Sequence, residues 1–178
     1  MDSVKQPGIL LHVCCGPCAS HCVRVLQEDY DVTLFFSNSN IWPREEYDRR
    51  AAAARKLAEI CGVELVEDEY DHNAWLERIR GLEGEREGGR RCEKCFAFNL
   101  GRTARYACER GFGLFTTSLT VSPHKSSPVI FRVGEAEGRF LKKDFKKGDG
   151  FKCSVELSRA YNLYRQGYCG CEFSGTEE

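Results

Sequence analysis

No stretch of this chain is apolar over the length that a membrane-crossing helix needs, so a partner membrane is not expected. The first residues, Met1 to Pro7, are polar and lack the apolar core of a secretory signal. The expected compartment is therefore the cytoplasm. A surplus charge is lacking too. Lys and Arg number 26 and Asp and Glu 27, for a formal net charge of -1. Nothing pulls the whole surface toward nucleic acid, and any such site has to be a local patch. There is also no internal repeat and no linker-like stretch. One domain over 1–178 is expected, with 172–178 as a disordered tail.

What the chain has in excess is cysteine, with 11 residues. A secreted miniprotein would use so many for a disulfide framework. In a cytosolic chain of this length they point to metal or redox chemistry, and the odd count excludes complete pairing.

Strand and helix patterns alternate along the chain. Ile9 to Cys14 reads as a buried parallel strand, with Gly16 for a tight turn and Pro17 opening a helix to Leu26. Asp31 to Phe36 is a second strand that ends in the polar turn Ser37 to Asn40. Tyr47, Ala51, Ala54, Leu57, Ala58 and Cys61 form one helical stripe over 43–61, closed by Gly62. A strand over 63–66, a short helix over 73–79 and a glycine-rich charged loop over 81–89 follow. The helix over 90–110 carries Phe96, Leu100, Thr103, Ala104 and Ala107 inward. A strand over 114–119 and helices over 128–137 and 153–164 complete the pattern. The class is α/β: a parallel sheet flanked by helices in three layers. In such sheets ligands lie beyond the carboxyl ends of the strands. The Cys14–Cys18 turn, Asn38–Asn40 and Thr117–Lys125 all follow strands and should converge there.

Cys14-Cys15-Gly16-Pro17-Cys18 puts three thiols at a strand-to-helix turn, and Cys92-x-x-Cys95 puts two on one face of a helix start. Cys14 and Cys15 with Cys92 and Cys95 make a four-thiolate set that suits iron–sulfur or zinc. Structural zinc more often joins two spaced pairs than a vicinal one, which favours iron–sulfur. Cys18 reads as a ligand, a thiol beside the ligands or a packing residue. Cys169-Gly170-Cys171 reads as a redox-active dithiol or a site for further metal, since glycine permits the tight ring a disulfide would need. Cys22, Cys61, Cys108 and Cys153 fall on apolar stripes and read as core. His12 reads as a hydrogen-bonded core residue, and His124 and Lys125 as candidates for an anionic substrate. His21 and His72 carry no signal. Two basic groups, Arg90, Arg91, Lys94, Arg102 and Arg105, and Lys142, Lys143, Lys146 and Lys147, either track phosphates or form solvated faces.

Six motifs in order resemble one family: 10–18 (LLHVCCGPC), 35–41 (FFSNSNI), 45–47 (EEY), 91–96 (RCEKCF), 116–125 (TTSLTVSPHK) and 163–171 (LYRQGYCGC). They are similar to the epoxyqueuosine reductase QueH family over essentially the whole chain. The resemblance implies a fold of the adenine nucleotide α-hydrolase-like (HUP) group. It implies an oxidoreductase for the last step of queuosine biosynthesis, the two-electron deoxygenation of epoxyqueuosine to queuosine in tRNA. It implies a [4Fe-4S] cluster on Cys14, Cys15, Cys92 and Cys95 and allows one additional iron ion, which Cys169 and Cys171 would share in holding where they are not the redox pair; Cys18 stays open as a further ligand. Cys169 and Cys171 would be the redox-active, disulfide-forming pair, re-reduced by an external electron donor. Asn38, Asn40, His124, Lys125 and Arg165 are the candidate substrate contacts. Ser39 stands where the family pattern has a proline, which puts the stiffness of that loop in question. Two other classes compete. One is a zinc-stabilised tRNA- or nucleotide-binding module without redox activity. The other is an ATP-using tRNA sulfurtransferase, which should carry a glycine- and serine-rich phosphate loop where this chain has Cys-Cys-Gly-Pro-Cys.

Overall fold

A computed structural model describes residues 6–174 of the chain. Its centre is a parallel sheet of four strands: β1 (Gly8–His12), β2 (Asp31–Phe36), β3 (Glu64–Glu67) and β4 (Leu114–Thr117), in the order β3-β2-β1-β4. β1 is paired on both sides, Leu10 lying opposite Thr33 of β2 and Phe115 of β4. Successive side chains of a strand face opposite ways. Ile9, Leu11 and Val13 therefore enter one apolar core and Leu10 the other. The continuous apolar run of the first strand is explained by this double burial.

Six helices accompany the sheet: α1 (Gly16–Leu26), α2 (Arg44–Cys61), α3 (His72–Ile79), α4 (Arg90–Glu109), α5 (Ser127–Glu137) and α6 (Gly150–Ala160). α1 and α2 bury Ala19, Val23, Leu26, Ala51, Ala54 and Leu57 in the first core. α4 and α5 bury Phe96, Leu100, Ala104, Ile130 and Val133 in the second. α6 packs against α1, and α3 against α4. The α2 stripe reads as its spacing predicts, and Gly62 closes the helix in the left-handed region at φ 65°.

Several boundaries differ from the sequence reading for local reasons. β4 stops at Thr117, whose Oγ1 accepts from the Leu119 amide and turns the chain into a 3-10 helix over Ser118–Val121. α6 starts three residues early, at Gly150, and ends at Ala160, because Asn162 takes a left-handed φ of 50°. Cys22 is buried as expected, but Cys108 is exposed, and Cys61 and Cys153 are half-buried. Cys108 follows the inward Ala107 by one residue, which rotates it off the buried stripe.

The chain's end is also more engaged than a free tail. Glu172 bonds His72 Nε2 at 2.7 Å, and Phe173 stacks near Trp75 at 6.2 Å between ring centroids. Residues 175–178 of the expected tail lie outside the described part. Among the described residues, no helix is long and apolar enough to cross a membrane.

Candidate metal centre and substrate cavity

The order β3-β2-β1-β4 reverses direction between β1 and β4, and ligands favour such switch points. His12, the last residue of β1, is fully buried there and tied to its neighbours: Nδ1 lies 2.9 Å from Thr117 Oγ1 and Nε2 3.0 Å from the Ser37 carbonyl. Burial lowers its pKa, consistent with a neutral ring serving as a structural tie.

Beyond His12 the chain turns. The Cys14 amide donates to Ser118 Oγ at 3.2 Å, and its Sγ lies 3.3 Å from the same hydroxyl. Cys15 caps α1: its backbone is extended and its sulfur accepts from the Cys18 amide at 3.4 Å. At Gly16 a Cβ would sit 2.8 Å from the Ala53 carbonyl oxygen, so only glycine lets α1 approach α2 this closely. The result is a triad. The sulfurs of Cys14, Cys15 and Cys18 all lie within 4.8 Å of one another. The Cys14 and Cys18 thiols donate toward Cys15, and together they hold it well below the ordinary thiol range against the opposing effect of burial. Cys18 is pushed well up by its hydrogen bonds with Cys14 and Cys15, and by burial. The turn thus lowers one sulfur of the three, that of Cys15 at the N-terminus of α1.

A cavity of about 720 Å³ opens above this triad, and Cys95 and Cys169 line it as well. Asn38, Asn40, His124, Lys125 and Arg165, the expected substrate contacts, all line it too. Cys92 and Cys171 line an adjoining cavity of about 110 Å³, which Cys95 and Cys169 share. The sulfur atoms therefore fall into a turn triad and a second group of four on α4 and the terminal loop, with Cys95 and Cys169 facing both spaces. Burial raises the thiols of Cys92 and Cys95, and pushes Cys171 to about 11. Lys125 is half-buried among the thiols. Burial works against its charge, but the sulfurs of Cys169, Cys14, Cys18 and Cys15 outweigh that and raise its pKa.

All eleven cysteines are free thiols. The disulfide expected between Cys169 and Cys171 is thus not formed in this structure. The loop that carries them is clamped by residues the sequence reading missed. Arg50 of α2, almost wholly buried, bonds Glu46 Oε1 at 2.7 Å, the Cys169 carbonyl at 2.7 Å and the Tyr168 carbonyl at 3.2 Å. Tyr164 donates to the other oxygen of Glu46 at 2.8 Å. Gly170 has φ 104°, and a Cβ there would lie 2.7 Å from Arg50 Nη1. The Trp42 amide donates to the Gly170 carbonyl at 2.8 Å. Glu46 and Arg50 stand four apart, which in sequence reads as a solvated helix pair. Asn99 was also missed, although it lies four residues after Cys95 on the same face. Its Nδ2 donates to Asn40 Oδ1 at 2.9 Å at the cavity wall.

The two basic groups are largely engaged within the protein. Arg90 pairs with Glu85, Arg102 with Asp68 and Lys142 with Glu135. Arg91 is buried and bonds the carbonyls of Glu83 and Glu85, which ties the glycine-rich loop to the first turn of α4.

The donor set fits a soft-metal cluster. A second observation agrees. Among the described residues, four buried side-chain polar atoms lack a hydrogen-bond partner: Asn99 Oδ1, Gln166 Oε1, Trp75 Nε1 and Arg91 Nε. All four belong to residues that line the two cavities. Unpaired buried donors and acceptors are rare in folded proteins, and their grouping here marks a place built around a group that meets them. Trp75 Nε1 and Arg91 Nε are N–H donors that sulfur could accept from, whereas Asn99 Oδ1 and Gln166 Oε1 are acceptors that call for a donor.

Fold and site together define a class: an α/β enzyme with a cysteine-rich cavity at the switch point of its parallel sheet that could hold a metal. The comparisons agree. A solved U34-tRNA thiolase, NcsA from Methanococcus maripaludis with its [4Fe-4S] cluster, superposes with a TM-score of 0.57 at 12% identity, covering 94% of this chain and 60% of that one. The sequence matches the family model for epoxyqueuosine reductase QueH over residues 9–177. It is 41% identical to the epoxyqueuosine reductase QueH of Streptococcus pyogenes serotype M1, across 97% of this chain and 72% of that protein. It is 37% identical to that of Thermotoga maritima, across 93% and 89%. The chain belongs to the epoxyqueuosine reductase QueH family.

Proposed function

We propose that this iron–sulfur oxidoreductase, an epoxyqueuosine reductase, works through two cooperating sets of its own cysteines. Cys14, Cys15, Cys92 and Cys95 would hold a [4Fe-4S] cluster, Cys18 is the candidate ligand for one additional iron ion, and Cys169 and Cys171 act as the redox-active pair. When bound, the cluster would supply single electrons and the additional iron would supply Lewis acidity toward the epoxide oxygen. The observation that carries this reading is the convergence of Cys14, Cys15, Cys18, Cys95 and Cys169 on one cavity that also presents the polar residues of a substrate site.

The chemistry then divides among residues of the chain. Removing the epoxide oxygen as water and leaving a carbon–carbon double bond takes two electrons and two protons. Oxidation of the Cys169 and Cys171 thiols to a disulfide releases that number of each. An external electron donor returns the pair to thiols before the next turnover. Asn38, Asn40 and His124 line the walls against which the modified base lies. Lys125 and Arg165 put positive charge where phosphates and the departing oxygen arrive. The substrate is tRNA carrying epoxyqueuosine, and the reaction belongs in the cytoplasm, where tRNA is modified.

Anaerobic iron and sulfide analysis paired with turnover of epoxyqueuosine-tRNA tests this. Stoichiometric cluster and conversion to queuosine are expected. Colourless, zinc-only protein that binds tRNA without converting it would replace the reading with that of a zinc-stabilised binding module.

A further inference from the structure

Large apolar side chains exposed among the described residues number four: Trp42, Ile60, Phe151 and Tyr168. Two of them, Phe151 at 37% and Tyr168 at 43% exposure, line the large cavity. Each has an arginine against its ring. The Arg165 guanidinium carbon lies 5.3 Å from the Phe151 centroid and that of Arg50 5.2 Å from the Tyr168 centroid. We propose that Phe151 and Tyr168 are stacking platforms at the cavity rim for unpaired RNA bases that flank the modified nucleotide. The proposal rests on the reading of the chain as a tRNA-modifying enzyme and adds the surface that grips the loop.

Three physical points support it. First, neither ring sits on slack backbone. Phe151 is the second residue of α6, and that helix starts where a Cβ on Gly150 would lie 1.7 Å from the Phe145 carbonyl oxygen, a fit only glycine allows. Tyr168 is held through its carbonyl by the buried Arg50. A rigid exposed ring loses little entropy when a base covers it. Second, with Arg50 neutralised by Glu46, the remaining charged residues that line the cavity are Lys125 and Arg165 against Glu87, a positive balance in a chain whose formal net charge is -1. That local balance suits a phosphate backbone and not an apolar or acidic-averse protein surface. Third, RNA loops expose unstacked bases, and aromatic rings backed by arginine are the surfaces on which such bases lie. Within the basic groups on α4 and before α6, Arg90, Arg102, Lys142 and Lys146 have partners within the protein.

The test is the affinity of the metal-loaded protein for a synthetic anticodon stem–loop with guanosine at the wobble position. Phe151→Leu and Tyr168→Leu keep apolar bulk but remove the ring. Each is expected to weaken binding roughly tenfold, within the range known for single base–aromatic stacks. Tyr168→Phe keeps the ring and should bind as wild type. Ile60→Ala, at the C-terminal end of α2 and the opposite edge of the sheet, should also bind as wild type. Retained visible absorbance of the cluster checks that each variant is intact. Wild-type affinity in both leucine variants, or an equal loss in Tyr168→Phe, overturns the proposal. A measurement on the unmutated protein stands independently of folding: 4-thiouridine placed beside the wobble position should crosslink to Phe151 or Tyr168, and adducts confined to other residues overturn it. Wild-type protein that neither binds the loop nor converts epoxyqueuosine-tRNA would instead sink the functional reading itself. Conversion with no dependence on the two rings would sink only this inference.

Discussion

Replacing Arg50 by methionine separates two roles that one side chain combines. Its guanidinium neutralises Glu46, whose side chain is 1% exposed, and it holds the Cys169 and Tyr168 carbonyls. Breaking a buried ion pair on one side typically costs about 3–5 kcal/mol, because the remaining charge is left without its partner. Glu46 keeps two other contacts, with Tyr164 at 2.8 Å and with the exposed Arg49 at 3.0 Å. These soften the loss, so about 2–4 kcal/mol is expected for Arg50→Met. In a domain of this length each kcal/mol moves the melting temperature by about 2–4 °C, which predicts a drop on the order of 10 °C. The double variant Glu46→Leu/Arg50→Met removes both charges and should regain most of that stability, since an apolar pair of similar volume often matches a buried ion pair. It should not regain the loop. Alkylation of Cys169 is expected to stay faster than in wild type in both variants, because neither restores the donors to the 168 and 169 carbonyls. Thermal unfolding of the anaerobically purified protein and mass-spectrometric alkylation rates read the two effects separately. A single variant within about 0.5 kcal/mol of wild type would refute the stability argument, the usual scatter of a neutral surface change. A double variant with wild-type alkylation would refute the clamp.

Three further outcomes follow from the geometry. Cys14→Ser and Cys92→Ser should each lose the cluster's visible absorbance, and Cys108→Ser, exposed on the outer face of α4, should keep it; Cys169→Ser should keep the absorbance but form no queuosine even in a single-turnover assay, since the pair that supplies the two electrons is broken. Gly170→Ala combines a φ of 104° with a Cβ 2.7 Å from Arg50 Nη1, whereas Gly81→Ala meets φ 81° with nothing within 4 Å; calorimetry should find the first clearly more destabilising, since the second carries only the backbone strain of about 1–2 kcal/mol. Asp68 gives a pH signature: burial opposes its charge, but the Arg102 and Ser37 hydrogen bonds outweigh that and hold its pKa below the ordinary value. Its contribution is full above the unfolded pKa and lost as pH falls through the lower folded one, so the urea-midpoint gap between wild type and Asp68→Asn should be constant from neutral pH to about 4 and narrow below.

How far the sequence reveals this molecule depends on the range of the interactions concerned. The second strand, the α2 stripe and the inward face of α4 were legible because burial on one or both faces writes its period into neighbouring residues. The turn triad was legible for a similar reason: Cys14, Cys15 and Cys18 are close in the chain. Convergence of Asn38, Asn40, His124 and Lys125 followed from the rule for strand ends. Arg165, taken from a family motif, joins them in the cavity. What stayed hidden was written across long separations. Arg50 looks like a surface residue until the terminal loop, more than a hundred positions away, closes over it. His72 carried no signal, yet it sits between the Ser39 carbonyl and Glu172 and stacks on Trp42 and Trp75. Ser39 bears on the same point. Where the family pattern has proline, its hydroxyl here accepts from the Asp71 amide at 3.0 Å, so the loop is held by a bond to the start of α3 in addition to its own turn.

The placement of the sulfurs carries one last step. A strand-to-helix turn in this fold class usually offers glycine amides to a phosphate, and the anion is the ligand's. Here the turn carries three thiols, and the sulfur of Cys15, held well below the ordinary thiol range by its hydrogen bonds with Cys14 and Cys18, caps α1. A helix start whose Cys18 amide is already taken by the Cys15 sulfur has one amide fewer to offer a nucleotide's phosphates. The same sulfur that fits the turn to a metal cluster therefore works against ATP at this position. The positive groups of the cavity stand apart from the turn: Lys125 is half-buried beside the thiols and Arg165 lines the wall. A related sheet and switch point can in this way serve a redox enzyme or a nucleotide-dependent one, and the choice rests on whether the turn after β1 presents sulfur or bare amide groups.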